Sequence, residues 1–317
     1  MFGSERFPNS ATVVAAAVLV LLPFVTSVTL SSQIVIFGIG ALSATFLLGS
    51  VGLLSFGQGL YFGIGAYMAG LLLRNAGFSL LPAIALATLA GFVLSAVLAW
   101  LIVRREGVYF VMLTLAFAHM GFFAMLAMKN ITGGENGLPG LPRSFSVSGL
   151  PIATPAAFYA VSAIGFFIAF LVVQRLNASP FGSLLRAIRE NPRRCETIGY
   201  NVRTFRIAAF AVAGAIAALG GALHAAYLGF VPPTDIELEM SQRLLVMSIV
   251  GGVQSPAGAL IGSAFYTLAS EIFSDLWARW MALIAILLIA IVLYLPGGLW
   301  GIGAYLKAFM KGNEADG

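Results

Sequence analysis

The chain has 317 residues, of which 60% are hydrophobic and 9% charged, and its formal net charge is +5. An ordinary globular domain is nearer half apolar, so a mean hydropathy of +0.98 excludes a water-soluble fold and places the chain in a bilayer. The single cysteine, Cys195, excludes an internal disulfide, and His119 and His224 alone cannot build a metal site; the basic balance fits loops facing anionic lipid rather than nucleic acid.

A helix crossing the hydrocarbon needs roughly 20 mostly apolar residues, and such runs recur along the whole chain. The first, residues 11–28, is expected to be a transmembrane helix kinked at Pro23. It is long for a signal-peptide core and lacks a clear small-x-small cleavage site. Further apolar segments fall near 32–50, 59–73, 81–103, 108–128, 156–174 and 207–229. A Gly-broken region covers 241–273, read as 241–254 and 257–273, and a last segment covers 281–296. No long polar stretch intervenes, so the expected architecture is all-α: one polytopic transmembrane domain over 1–317 with eight to ten crossings. The 241–254 segment could instead be re-entrant, since it is short and carries Arg243.

Cytosolic loops retain positive charge. With the N-terminus inside, inside loops hold 12 of the 17 Lys and Arg: Arg6, Arg104, Arg105, the seven arginines from Arg175 to Arg206, Lys307 and Lys311. Outside loops hold Arg74, Lys129, Arg143, Arg243 and Arg279, together with several carboxylates. Both termini are therefore expected on the inside.

Two glycine-broken stretches, residues 52–67 and 251–266, align at a constant offset of 199, so that Gly59 meets Gly258, Gly63 meets Gly262 and Tyr67 meets Tyr266. Glycines four apart make a smooth helix face that lets a neighbour approach closely. Paired broken segments in transporters also point to the substrate path. Ser55, Gln58, Gln254 and Ser255 are polar residues that lipid would penalise, which fits a polar interior.

The densest charge lies in residues 179–206. There Phe181, Leu184, Leu185 and Ile188 form one apolar stripe at helical spacing. Ser179 with Pro180 supplies an N-cap and a favoured first residue. Asn191-Pro192 ends that helix and starts a second, in which Cys195 and Ile198 share a face and which Gly199 closes. The stripe fits either a helix lying on lipid or one entering a partner's groove.

The stretches LLGSVGLLSFGQGLYFGIGAYMAGLL, GVYFVMLTLAFA, TGGENGL, SPFGSLLRAIRENPRRCETIGYNV and LLVMSIVGGVQSPAGALIG, in this order and spacing, resemble the LivM-type membrane permease of branched-chain amino-acid ABC importers. The resemblance covers nearly the whole chain. It implies a bacterial inner-membrane assembly: this chain, a second related permease, two cytosolic ATPase subunits that hold ATP and Mg, and a periplasmic substrate-binding protein. It also implies a coupling helix at Ser179 to Asn191, with Arg186, Arg189, Glu190, Pro192 and Gly199 framing the docking site. The two glycine breaks place the expected translocation path near Ser55, Gln58, Gly59, Gly63, Tyr67, Thr114, Gln254 and Ser255. Thr132, Gly133, Gly134 and Gly137 match an outer loop that contacts the binding protein or acts as a gate; an ordinary Gly-rich turn is the plainer reading. Leucine, isoleucine and valine are the implied substrates, with urea, short amides and other amino acids as alternatives.

The chain has no G-x-x-x-x-G-K-[ST] loop, its only lysines being Lys129, Lys307 and Lys311. ATP hydrolysis would have to reside in a partner, and no catalytic residues or cofactor are expected here. Glu271 and Asp275, four apart, read as a solvated rim. A channel or secondary transporter is the rival class, but the clear spans carry no Asp, Glu, Lys or Arg between their ends for ion coupling.

Overall fold

A computed structural model describes residues 8–104, 107–141, 145–147, 150–152, 154–276, 279–295 and 297–301. The charges counted at Arg6, Arg105, Arg143, Lys307 and Lys311 lie outside the described residues. The helices run α1 (Pro8–Val25), α2 (Val28–Phe46), α3 (Gln58–Asn75), α4 (Leu80–Ile102), α5 (Val108–Ala127) and the single turn α6 (Lys129–Thr132). They continue with α7 (Pro155–Ala178), α8 (Pro180–Glu190), α9 (Pro192–Thr197), α10 (Val202–Leu228), α11 (Leu238–Gly251), α12 (Pro256–Leu276) and α13 (Trp280–Tyr294). A small antiparallel hairpin, β1 (Phe145–Val147) and β2 (Leu150–Ile152), precedes α7.

Each of the ten expected apolar segments is a helix. By length and composition six are able to cross a membrane, and α11 with α12, bent by 113° at their junction, makes a seventh candidate. Helix α1 is shorter than these. Pro23 sits in its last turn, and the helix stops at Val25. The proline therefore marks an end rather than a mid-helix kink, because the missing N–H matters least where the ladder is already finishing.

Helices α2, α3, α10 and α11 form the centre, and α10 packs against α2, α3 and α4. Small residues make this possible. A Cβ on Gly65 of α3 would collide with the Ala218 backbone of α10, and one on Gly221 of α10 would collide with Phe62 O. In a bilayer, where apolar surface gains little by leaving lipid, such close approach is what holds helices together. Helices α4, α5, α7 and α13 carry the outer apolar surface: Val97, Tyr109, Ile164 and Ile286 are all exposed.

The first and last described segments meet the same end of the bundle. Thr12 of α1 donates to Gln174 near the end of α7 (3.0 Å), and Gly297 and Gly298 lie against Gly252. Helix α8 follows α7 at that end.

Candidate functional site

Helix α2 loosens into a π-helical turn, Leu47–Val51, and stops at Gly52, whose φ of +75° favours glycine. Residues 52–57 are non-helical, and α3 starts inside the protein. Helix starts leave backbone N–H groups without intrahelical partners, and here hydroxyls from three elements serve this break. Ser55 Oγ accepts from Gly57 N (3.1 Å), Thr114 Oγ1 of α5 accepts from Phe56 N (3.2 Å), and Ser241 Oγ of α11 accepts from Gly59 N (2.8 Å). Ser55, Gln58 and Thr114 are all buried, so this polar centre is closed. Gln58 Oε1 accepts from Ser43 Oγ (3.0 Å), whereas its Nε2 is buried with no protein partner. An unsatisfied buried donor costs on the order of 1–3 kcal/mol. Nearby, Tyr61, Phe110 and Phe210 make two edge-to-face ring contacts. Tyr67 is also buried with an unpartnered hydroxyl, but it lies more than two helical turns beyond Gln58 on α3.

The glycine faces are packing surfaces. A Cβ on Gly59 would meet Ser241 Oγ at 2.7 Å, and one on Gly63 would meet Ile236 Cα at 2.7 Å. Across the second break, a Cβ on Gly258 or Gly262 would meet Gly251 O or N, respectively, at 2.8 Å. The aligned polar residues part company there: Ser255 is buried but Gln254 is exposed. Gln254 therefore does not join Ser55, Gln58 and Thr114.

In the arginine-rich segment the caps form as expected. Ser179 Oγ accepts from Gly182 N, Asn191 Oδ1 accepts from Arg194 N (3.0 Å), and Gly199 has φ +101°. The apolar stripe faces the chain's own body. Leu185 joins the main core, and Ile188 packs with Cys195, Val202, Leu184 and Phe205; Phe181 stacks near Phe205 with centroids 5.8 Å apart. Leu185 and Ile188 are therefore fully covered by this chain, whereas Phe181 and Leu184 are half-buried. Cys195 is buried while Ile198 is 70% exposed, because α9 ends at Thr197 and the backbone then turns away at Gly199. The face left outward carries Ala187, Glu190, Asn191, Arg193 and Arg194, all exposed, with Pro192 half-buried.

Two arginines tie α8 to the rest. Arg186 Nη1 donates to Asn177 O (2.8 Å), and Arg189 Nη1 donates to Gly49 O in the π-turn. Ser50 in that turn donates to Asn177 Oδ1 (2.7 Å). A continuous set of hydrogen bonds thus joins α8 to the turn that leads into Ser55 and Gln58.

At the far end, Thr132 is buried and its Oγ1 donates to the end of α5. Gly133, Gly134 and Gly137 all have positive φ. Leu138 bridges Val231 through two backbone hydrogen bonds, 3.0 and 3.1 Å. Side chains at Gly133 and Gly137 would collide with the backbone, so the loop's glycines are required by its packing.

Below that bridge sits a pair the sequence did not single out: His224 Nδ1 lies 2.9 Å from Asp235 Oδ2, both buried, with Phe37 and Phe62 against the imidazole. The hint was a histidine one turn from the end of a span, followed by an acid in the next short loop. Arg243, counted among the outside charges, lies on α11 within the 241–254 segment, paired with Glu239 (3.2 Å) and placed over the Phe37 ring at 5.7 Å. Glu271 and Asp275 are exposed on α12. Among the described residues no group of three His, Cys, Asp or Glu could hold a metal.

No solved structure matches the chain. Among curated proteins it is similar to the high-affinity branched-chain amino acid transport system permease protein LivM of Salmonella typhimurium, 25% identical over 86% of this chain and 69% of that protein. The Escherichia coli LivM is 26% identical over 87% and 71%. The autoinducer 2 import system permease protein LsrC of Salmonella paratyphi B is 31% identical over 75% and 68%. The model of the branched-chain amino acid transport system permease component family matches residues 26–293. Both the helical membrane architecture and this match over most of the chain lead to one assignment: the protein belongs to that ABC-type permease family, as a polytopic membrane subunit rather than a catalytic chain.

Proposed function

We propose that this chain is the membrane-spanning permease of a bacterial inner-membrane importer that carries branched-chain amino acids from a periplasmic binding protein to the cytoplasm. A second related permease completes the path, and two cytosolic ATPase subunits supply ATP and Mg chemistry. Both termini and α8 face the cytoplasm, where the excess of arginine belongs. The observation that carries the reading is the buried start of α3 with the unpartnered Gln58 Nε2. A helix N-terminus attracts a carboxylate through its dipole. Gln58 adds a donor, and Tyr61, which lies beside Gly57 and Thr114, offers an apolar wall for a leucine, isoleucine or valine side chain.

Driving this site from the cytoplasm falls to α8. The ATPase docks on the polar face of Glu190, Asn191, Arg193 and Arg194, and its closure displaces α8. That displacement reaches the 52–57 break through Arg189 and Gly49 and through Asn177 and Ser50. Thr132, Gly133, Gly134 and Gly137 shape the surface that receives the binding protein. The likeness to LsrC supports a second substrate class, autoinducer 2, for the same architecture.

The test uses the tagged chain purified from its own membrane, with Arg193→Glu/Arg194→Glu as the variant. Co-purification of a Walker-motif ATPase, lost in the variant while its melting temperature holds, is the expected result. An ATPase retained by the variant moves docking elsewhere, and no ATPase with the native chain overturns the importer reading. Uptake of radiolabelled leucine, valine, urea and autoinducer 2 by cells with and without the chain assigns the substrate.

A further inference from the structure

The end of α4 and the start of α10 hold a charged cluster outside the polar centre described above. The Trp100 ring, 53% exposed at the end of α4, has two guanidinium groups beside it, Arg104 at 5.5 Å and Arg203 at 5.3 Å from its centroid. Arg203 Nη2 donates to Trp100 O (2.8 Å), which fixes that side chain across the gap between the helices. Its Nε is buried and has no partner. Both permanent cations lie beside the one ring, and among the described residues no carboxylate pairs with either, so each favours an incoming negative charge.

What lies next to the cluster names the anion. Leu89, Val93 and Val97 are exposed on α4 at spacings of four, and the same face runs on to Trp100 and then Arg104. An apolar stripe ending in a tryptophan and then an arginine is the pattern of a membrane-to-water boundary, where indole sits at headgroup level. A soluble anion would use the arginines but not the stripe; a phospholipid uses both.

We propose that Trp100, Arg104 and Arg203 bind the headgroup phosphate of an anionic phospholipid, whose acyl chain lies along Val97, Val93 and Leu89. Basic pockets between transmembrane helices on the cytoplasmic side suit such headgroups. The lipid would tie the end of α4 to the start of α10, bridging two helices that already pack against each other. The inference needs only that the chain sits in a bilayer, and it stands whatever the substrate.

Delipidated protein in detergent, titrated with phosphatidylglycerol and separately with phosphatidylcholine under native mass spectrometry, provides the test. The native chain should prefer phosphatidylglycerol by roughly twenty-five-fold, at about five-fold for each arginine. Arg104→Gln/Arg203→Gln should abolish the preference, and Arg104→Lys/Arg203→Lys should retain most of it. If the double glutamine variant does not fold, Arg104→Gln alone, whose side chain is exposed, should lower the preference about five-fold. Equal binding of the two lipids by the native chain overturns the proposal, as does a glutamine variant that keeps the full preference. Displacement of the lipid by millimolar inorganic phosphate would assign the site to a soluble anion and overturn the lipid reading.

Discussion

The break before α3 and the break before α12 look like copies of each other in sequence, yet they are built for different work. Both lead into helices with glycines four apart, and both glycine faces close on the same element, α11. Gly59 and Gly63 meet its start and the loop just before it, whereas Gly258 and Gly262 meet its end. The polar residues differ. Around the first break Ser55, Thr114 and Ser241 cap buried amides and Gln58 keeps a free buried donor. At the second, Gln254 reaches the surface and the glycines serve a tight local bend. Shared glycine spacing reports shared packing, and only the first break combines it with an enclosed polar centre.

Substitutions can break this comparison. The largest effect should come from Gly262→Ala, because the added methyl meets backbone, which cannot step aside. About 3 kcal/mol of stability should be lost, at the upper end of overpacking costs, and read as a lowered melting temperature in detergent. An unchanged melt would show that α11 and α12 are not held as described.

Next, Gln58→Leu should lower substrate uptake about ten-fold, the worth of one hydrogen bond made during transport, with little change in melting temperature. Ser43 keeps Gly40 O as its acceptor in that variant. Uptake at the native rate would remove Gln58 from the path. Ser241→Ala strips the cap from Gly59 N and should cost about 1 kcal/mol; a variant as stable as the native chain would mean that the amide finds another partner.

Gln254→Ala should do least, within about 0.5 kcal/mol and with uptake within measurement error. A strong transport defect there would restore the symmetry of the two breaks and undo the distinction between them.

The caps at Ser179 and Asn191, the stop at Gly199 and all ten apolar helices were legible in the sequence, because each rests on contacts within a few residues. The stripe Phe181, Leu184, Leu185 and Ile188 was equally legible as a stripe, but its partner was not. Helical periodicity says that one face must be covered and is silent on whether this chain or another covers it. Arg243 was likewise legible as part of the 241–254 segment, while its partners Glu239 and Phe37 were not.

By itself the sequence determined that this is a helical bilayer protein, where its helices start and stop, which stretch concentrates the arginines, and which family its motifs resemble. Hydropathy, capping and local spacing are short-range properties, and they survive whatever the rest of the chain does. Only the tertiary structure decided that Ser55, Thr114 and Ser241 converge on one helix start, that Arg189 reaches the π-turn at Gly49, and that His224 meets Asp235. Those meetings join helices far apart in the chain. They depend on which faces the small residues allow to approach, and that is a property of the packed bundle rather than of any one segment.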